Sequence, residues 1–248
     1  MNEQLNKEQK SIVNVKMFEG METGFEDTNQ ETFKTPFLKI LQQLSPELKK
    51  TGPNYTEGAE EGMLFNSATK QLYKELKVII VKISHDLVAW KPERGGFVGI
   101  YPKSKENEIV VKQRGVRKYD KDGNDVNDTI SFFCVNVEDP SDIFIFPLST
   151  AMLKHAKSLC TRIRMLKQNG SPVHVSYAGV WKFKTIEESN DKGDWFTIGN
   201  VTEFERFITM DELTNYVKPA LELLKKAETD YTQMDNGKED DSSNDPLF

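Results

Sequence analysis

The run Lys77-Val-Ile-Ile-Val-Lys-Ile83 constrains this chain more than any other stretch. Its β-branched apolar residues are too few for a helix and are bounded by polar segments, so it predicts a strand buried on both faces. Past that strand the character changes. Trp90, Phe97, Tyr101 and Tyr119 are interleaved with Lys91, Arg94, Lys103, Lys112, Arg114, Arg117 and Lys118. Cations hold phosphates and rings stack bases with little regard to sequence, so the pattern points to a single-stranded nucleic acid as ligand. Trp90, Phe97 and Tyr101, which border the Gly95-Gly96 turn, are the expected stacking residues, and the seven cations the expected phosphate contacts.

The net charge of −6 argues against such a ligand only until it is resolved along the chain. Residues 1–66 carry −4, residues 67–184 carry +8 and residues 185–248 carry −10. A basic body flanked by acidic ends is what a local binding field requires. The plainer alternative is that loop charges vary from segment to segment.

The 248 residues suffice for one domain with extensions. Residues 1–32 are polar and read as flexible. Residues 33–208 form the expected nucleic-acid-binding domain. It opens with a short amphipathic helix over 35–46, on which Phe37, Ile40, Leu41 and Leu44 recur at helical spacing until Pro46 ends it. Met63–Phe65 and Gln71–Tyr73 form a hairpin leading into the central strand. Thr129–Val137 and Asp142–Pro147 are further strands, joined through a turn at Asp139-Pro-Ser. A helix follows Ser149, with Leu153, Ala156, Leu159, Cys160, Ile163 and Leu166 on its buried side and Gly170 past its end. Val173, Val175 and Tyr177 alternate as a strand. Trp181 and Phe183 share one face, with Lys182 and Lys184 on the other, and Trp195–Ile198 closes a hairpin. Residues 209–234 form a C-terminal helix, bent or restarted at Pro219. Mainly β with flanking helices, an α+β chain in which a helix separates two groups of strands, this order is compatible with a five-stranded Greek-key barrel of the OB type.

Residues 235–248 hold five carboxylates, one Lys and no apolar residue before the last three, and cannot bury enough surface to offset their ordering entropy. Asp240, Asp241 and Asp245 followed by Pro246, Leu247 and Phe248 make a compact acidic and aromatic anchor for a basic-rimmed apolar pocket on another protein. This ending resembles that of single-stranded DNA-binding proteins of bacteria and tailed bacteriophages, where the tail recruits replication and repair enzymes. Bacterial members usually end in Pro-Phe, whereas this chain ends Pro246-Leu247-Phe248. The body is similar to phage-encoded proteins taken to be OB-fold single-stranded DNA-binding proteins. The similarity lies in Pro36-Phe-Leu-Lys-Ile-Leu41, Ser45-Pro46, residues 62–66 and 90–96, Ser149-Thr150 and Ser189-Asn-Asp-Lys-Gly-Asp-Trp195. The resemblance implies a phage origin, single-stranded DNA as ligand, replication or recombination proteins as partners, and the host cytoplasm as location.

Other chemistries have little footing. No phosphate-binding Gly-rich loop occurs, and Gly95-Gly-Phe-Val-Gly99 lacks the spacing of a dinucleotide fingerprint. His85, His155 and His174 are scattered, Cys134 and Cys160 stand alone, and no metal or cofactor is expected. Glu75-Leu-Lys77 is half of a nuclease signature without an acidic partner. No apolar run approaches a membrane span, and the N-terminus is too polar for a signal peptide. The reading is a non-enzymatic single-stranded DNA-binding protein, with homo-oligomerisation left open. The alternative is a phage structural or assembly protein whose acidic tail binds a protein partner. Because an acidic tail competes with DNA for a cationic face, removing residues 235–248 is expected to raise DNA affinity in a titration against oligo-dT while abolishing capture of the tail's protein partner.

Overall fold

The computed structural model describes residues 35–191 and 193–225. The expected N-terminal segment, residues 226–234 of the expected C-terminal helix, and the tail with its anchor Asp240, Asp241, Asp245, Pro246, Leu247 and Phe248 lie outside the described residues.

The described chain begins with three short strands, β1 (Leu38–Ile40), β2 (Leu64–Asn66) and β3 (Leu72–Tyr73), paired antiparallel in that order. The segment expected to be a helix is thus a strand. Leu38 and Ile40 are buried with Lys39 between them, and Phe37 makes a parallel bridge to Ile145. In so short an apolar run both periods fit, and pairing with Asn66 and Leu64 decides for the strand. Pro46 opens a 3-10 turn, Pro46–Leu48, rather than ending a helix.

Next come β4 (Glu75–Trp90), β5 (Phe97–Pro102), α1 (Glu106–Ile109), β6 (Lys112–Arg114), β7 (Arg117–Tyr119), β8 (Asp125–Asn136) and β9 (Ile143–Ser149). After α2 (Leu153–Arg164) a minimal hairpin, β10 (Lys167–Gln168) and β11 (Ser171–Pro172), leads to β12 (Gly179–Lys184). The alternating run expected as a strand at Val173–Tyr177 finds no partner strand among the described residues. Val175 is exposed, and Ser176–Ala178 forms a 3-10 turn. The hairpin β13 (Ile186–Asn190) and β14 (Gly193–Thr197) follows, then β15 (Glu203–Phe207), α3 (Met210–Glu212), a π-helical turn Leu213–Val217 and helix over 218–225. That π turn ends two residues before Pro219, which has no N–H to continue the helical ladder.

Two long strands organise everything else. β4 and β8 pair antiparallel from Val78 opposite Asn136 to Trp90 opposite Asp125. Along the inner half of this ribbon the sheet runs β15-β12-β4-β8-β9, and along the outer half β5 and β7-β6 flank the same two strands. The expected closed OB barrel is therefore not what these strands build: they form open sheets, because β4 and β8 are long enough to serve two successive groups of neighbours.

A bulge in β4 sets which side chains face where. Ile80 lies opposite Cys134 and Lys82 opposite Phe133, so Val81 is an extra residue. Before it Leu76, Val78 and Ile80 face the larger core; after it Ile83, Leu87 and Ala89 continue that face, and the alternation has slipped by one.

On this face, α2 supplies Ala156, Leu159 and Ile163, the small sheet supplies Leu38, Ile40 and Leu64, and Trp181 and Phe183 of β12 join them as the alternation requires. On the opposite face the C-terminal helix lays Val217 and Ala220 against Ile79, Val81, Val135 and Val180. The strand expected to be buried on both faces over Lys77–Ile83 is so buried over Val78–Val81, whereas Lys77, Lys82 and Ile83 are only partly covered. Thr209 starts that helix with a capping box: its hydroxyl accepts from the Glu212 N–H at 3.2 Å, and its own N–H donates to Glu212 Oε2 at 2.8 Å. Arg206 grips the same carboxylate with both guanidinium nitrogens, at 2.8 and 2.6 Å.

Phe146, 1 % exposed and packed on Phe183 with ring centroids 5.5 Å apart, sits at the centre of the larger core. Phe146→Ala is expected to lower unfolding free energy by about 3–5 kcal/mol. Ile100→Ala on half-exposed β5 should change it by about 0.5 kcal/mol or less. Urea denaturation of the two variants reads both effects.

Candidate nucleic-acid interface

The basic and aromatic stretch folds as the outer half of the ribbon, and cross-strand pairing sorts its side chains. Residues directly opposite in an antiparallel pair project from the same face. Phe97 lies opposite Trp90, Trp90 opposite Asp125, Asp125 opposite Tyr119, and Tyr119 opposite Lys112. One row therefore crosses five strands, about 19 Å at normal strand spacing. Arg117 and Arg114, opposite each other one step nearer the β6–β7 turn, share that face with Tyr119 and Lys112. Trp90 and Phe97 meet edge to face, with centroids 5.7 Å apart and planes at 74°. Trp90, Phe97 and Tyr119 are all half-buried, and Lys112, Arg114 and Arg117 are exposed.

Lys103 and Lys118 are placed differently. Lys118 alternates with Arg117 and Tyr119 and so emerges on the other face, where it meets Asp128 and reaches Glu106 at 2.5 Å. Lys103 joins the same carboxylates, at 2.7 Å from Glu106 and in contact with Asp128. His85 Nε2 lies 3.3 Å from Asp128. Tyr101 packs there too, beside Leu87, Ala89, Val126, Ile109 and Val110, the small core under α1. Burial pulls the Lys118 pKa down, but its hydrogen bonds to Asp128 and Glu106 prevail and raise it. Burial likewise pushes Asp128 up, and the two ammonium groups overcome it and lower its pKa from 3.8 to about 2. Glu106 is lowered chiefly by its hydrogen bond to Lys103, then by Lys118.

The expected residues thus divide. Trp90, Phe97, Lys112, Arg114 and Arg117 come together on one face; Tyr101, Lys103 and Lys118 belong to the opposite one. Lys91 and Arg94 lie in the turn from β4 to β5, closed by the Lys91 N–H donating to the Gly96 carbonyl at 2.9 Å. Glu93 and Gly96 hold left-handed conformations there, at φ +57° and +134°. Lys91 is exposed. No ion pair among the described residues engages Lys112, Arg114 or Arg117. Asp125 was missed in the sequence, because only its pairing reveals that this acid stands between two rings. Tyr119 was visible as a ring in the basic stretch, but not as a member of the row.

The remaining polar residues have structural partners. Glu75 pairs with Lys184 and Lys77 with Glu205, each at 3.4 Å, which places the nuclease-like tripeptide in a surface charge lattice. Asp142 accepts from buried Asn66 at 2.7 Å and from Tyr73 at 2.7 Å, tying the small sheet to the turn before β9. Among the described residues no group of three His, Cys, Asp or Glu side chains is arranged to hold a metal, and no helix is long and apolar enough to cross a membrane.

The family model described as Pam3 phage gp34-like protein matches residues 4–239. No curated protein and no solved structure matches the chain.

Asp128 supplies the pH dependence of this region. Its folded pKa lies below the unfolded value, so its stabilisation is complete above about 3.8 and is lost as pH falls towards about 2. Asp128→Asn is expected to flatten the stability profile over that interval, measured as melting temperature against pH. A profile unchanged by the substitution would rule out the network as its source.

Proposed function

This chain belongs to the Pam3 phage gp34-like family, and from that premise we propose that it binds single-stranded DNA in phage replication, recombination or repair, acting by coverage rather than catalysis. One observation carries the reading: three rings and three cations that have no carboxylate partner among the described residues share one face of the outer ribbon. Bases stack on Trp90, Phe97 and Tyr119, and phosphates follow Lys112, Arg114 and Arg117 along the edge of the row. Asp125 keeps phosphates off the centre of the row and accepts hydrogen bonds from exocyclic base amino groups. Lys91 extends the cationic border at the β4–β5 turn. Coverage of this kind has little sequence preference and strong salt dependence. The acidic tail, through Asp240, Asp241, Asp245, Pro246, Leu247 and Phe248, recruits replication or recombination proteins.

A second reading, a phage assembly protein, is favoured by β5 itself. Phe97–Pro102 carries no charge, exposes Val98 and Ile100 at 38 % and 49 %, and pairs among the described residues with β4 alone. Such an edge also suits another protein's strand.

Titration against oligo-dT at several salt concentrations separates the two, since the assembly reading requires no complex even at low salt. Under the DNA reading, Trp90→Ala weakens binding by about 1–3 kcal/mol. Arg117→Ala lowers the salt slope by about 0.7. Lys103→Met, on the opposite face, leaves that slope unchanged. Equal effects of the Arg117 and Lys103 substitutions would refute the assignment of faces.

A further inference from the structure

The tip of the β6–β7 hairpin has a composition that folding does not explain. Arg114 and Arg117 stand directly opposite each other across a two-residue turn, Gly115-Val116, with Gly115 at φ +61°. Glycine at the first turn position is the normal solution for so tight a hairpin, and the second position is usually polar. Here it is Val116, which is 95 % exposed. Opposed like charges weaken a strand pair, and no carboxylate among the described residues relieves these two. Two features that each cost stability therefore adjoin at the tip of this hairpin, one residue pair beyond the Tyr119 and Lys112 end of the ring-bearing row. A β-branched apolar tip backed by paired guanidinium groups is chemically matched to a base step bordered by phosphates: apolar wedges pack against base faces, and arginines hold the flanking backbone.

We propose that this tip is a wedge for the junction between duplex and single-stranded DNA. Val116 packs on the exposed face of the last base pair, while Arg114 and Arg117 hold the phosphates of the strand that continues over Tyr119 and Trp90. The strand direction is then fixed: the duplex lies beyond the hairpin turn, and the single strand runs back across the row towards β5. This site rests on the single-stranded DNA reading and adds a second binding element to it.

The test uses the full chain and two DNAs, an oligo-dT and a duplex bearing the same oligo-dT as an overhang, with 2-aminopurine in the terminal base pair. Covering one valine side chain corresponds to roughly tenfold tighter binding of the overhang DNA, accompanied by a rise in 2-aminopurine fluorescence as the terminal pair is disturbed. Val116→Ser, at an exposed position, is expected to erase both the preference and the fluorescence change while leaving oligo-dT affinity unaltered. Equal affinity of the wild-type chain for the two DNAs, or a preference that survives Val116→Ser, overturns the wedge and leaves the single-strand reading standing. Absence of oligo-dT binding by the wild-type chain overturns both.

Discussion

The pairing of β4 with β8 is the constraint on which the other elements depend. It runs unbroken past the bulge at Val81, and every larger sheet neighbour attaches to one of these two strands. Cross-strand pairs stabilise a ribbon only where both faces, or at least one, are shielded from water. The inner half has both: the larger core with α2 on one side and the C-terminal helix on the other. In the outer half the burial is thinner, with Leu87, Ala89 and Val126 covered by α1 and β5 on one side and Val88 buried on the other. Stability is therefore graded along the ribbon, firm at the end that is covered twice and looser at the end that carries the candidate site.

Ion pairing compensates where apolar burial is thin. Asp128 gathers Lys103, Lys118 and His85, so three separate segments are tied to β8 through one carboxylate, and Glu106 joins α1 to the network through the two lysines. The same contacts fix the register of β7. Because side chains alternate with a period of two, a one-residue slip would bring Lys118 onto the ring face and send Arg117 and Tyr119 to the α1 side. Lys118 bonded to Asp128 excludes that slip. Two cations that looked like ligands for phosphate thus do something prior: they decide which of their neighbours can be ligands. A deletion of Lys118 would perturb the interface through geometry rather than through lost charge at the binding face.

Much of the inner half was legible because its apolar runs are long. The core of β4, the strands at Thr129–Val137 and Asp142–Pro147, α2 and the Trp181/Phe183 face all follow from periodicity. The failures have local causes. At Leu38–Ile40 the apolar run was too short to distinguish the two periods, and long-range pairing chose. At Val173–Tyr177 the pattern was right for a strand but no partner edge was available among the described residues. β15 escaped notice because Phe204 and Phe207 are three residues apart, a spacing created by the register shift opposite Val180 and Trp181. The bulge at Val81 is equally silent in the sequence, yet it inverts the alternation for the rest of β4. Closure into a barrel was expected from element order, which does not reveal how far a strand runs past its first neighbours. For the candidate site, composition marked one stretch and could not divide it: the separation of Arg117 from Lys118 exists only once partners are assigned.

The same partition reconciles an acidic chain with a cationic face. At physiological ionic strength the screening length is about 8 Å, so carboxylates on the far side of the sheet or on remote segments contribute little at Lys112 and the two arginines. Asp125 stands inside the row, two strands or roughly 9.5 Å from Lys112. Its field falls mainly on the centre of the face, which it makes unfavourable for phosphate, while the β6–β7 edge stays favourable. Under the proposed reading a polyanion would have one orientation on this surface, backbone towards Lys112, Arg114 and Arg117 and bases towards Trp90 and Phe97. The net charge of the chain would then set only the long-range approach, and the alternation of one strand and the position of one carboxylate would set how the strand lies.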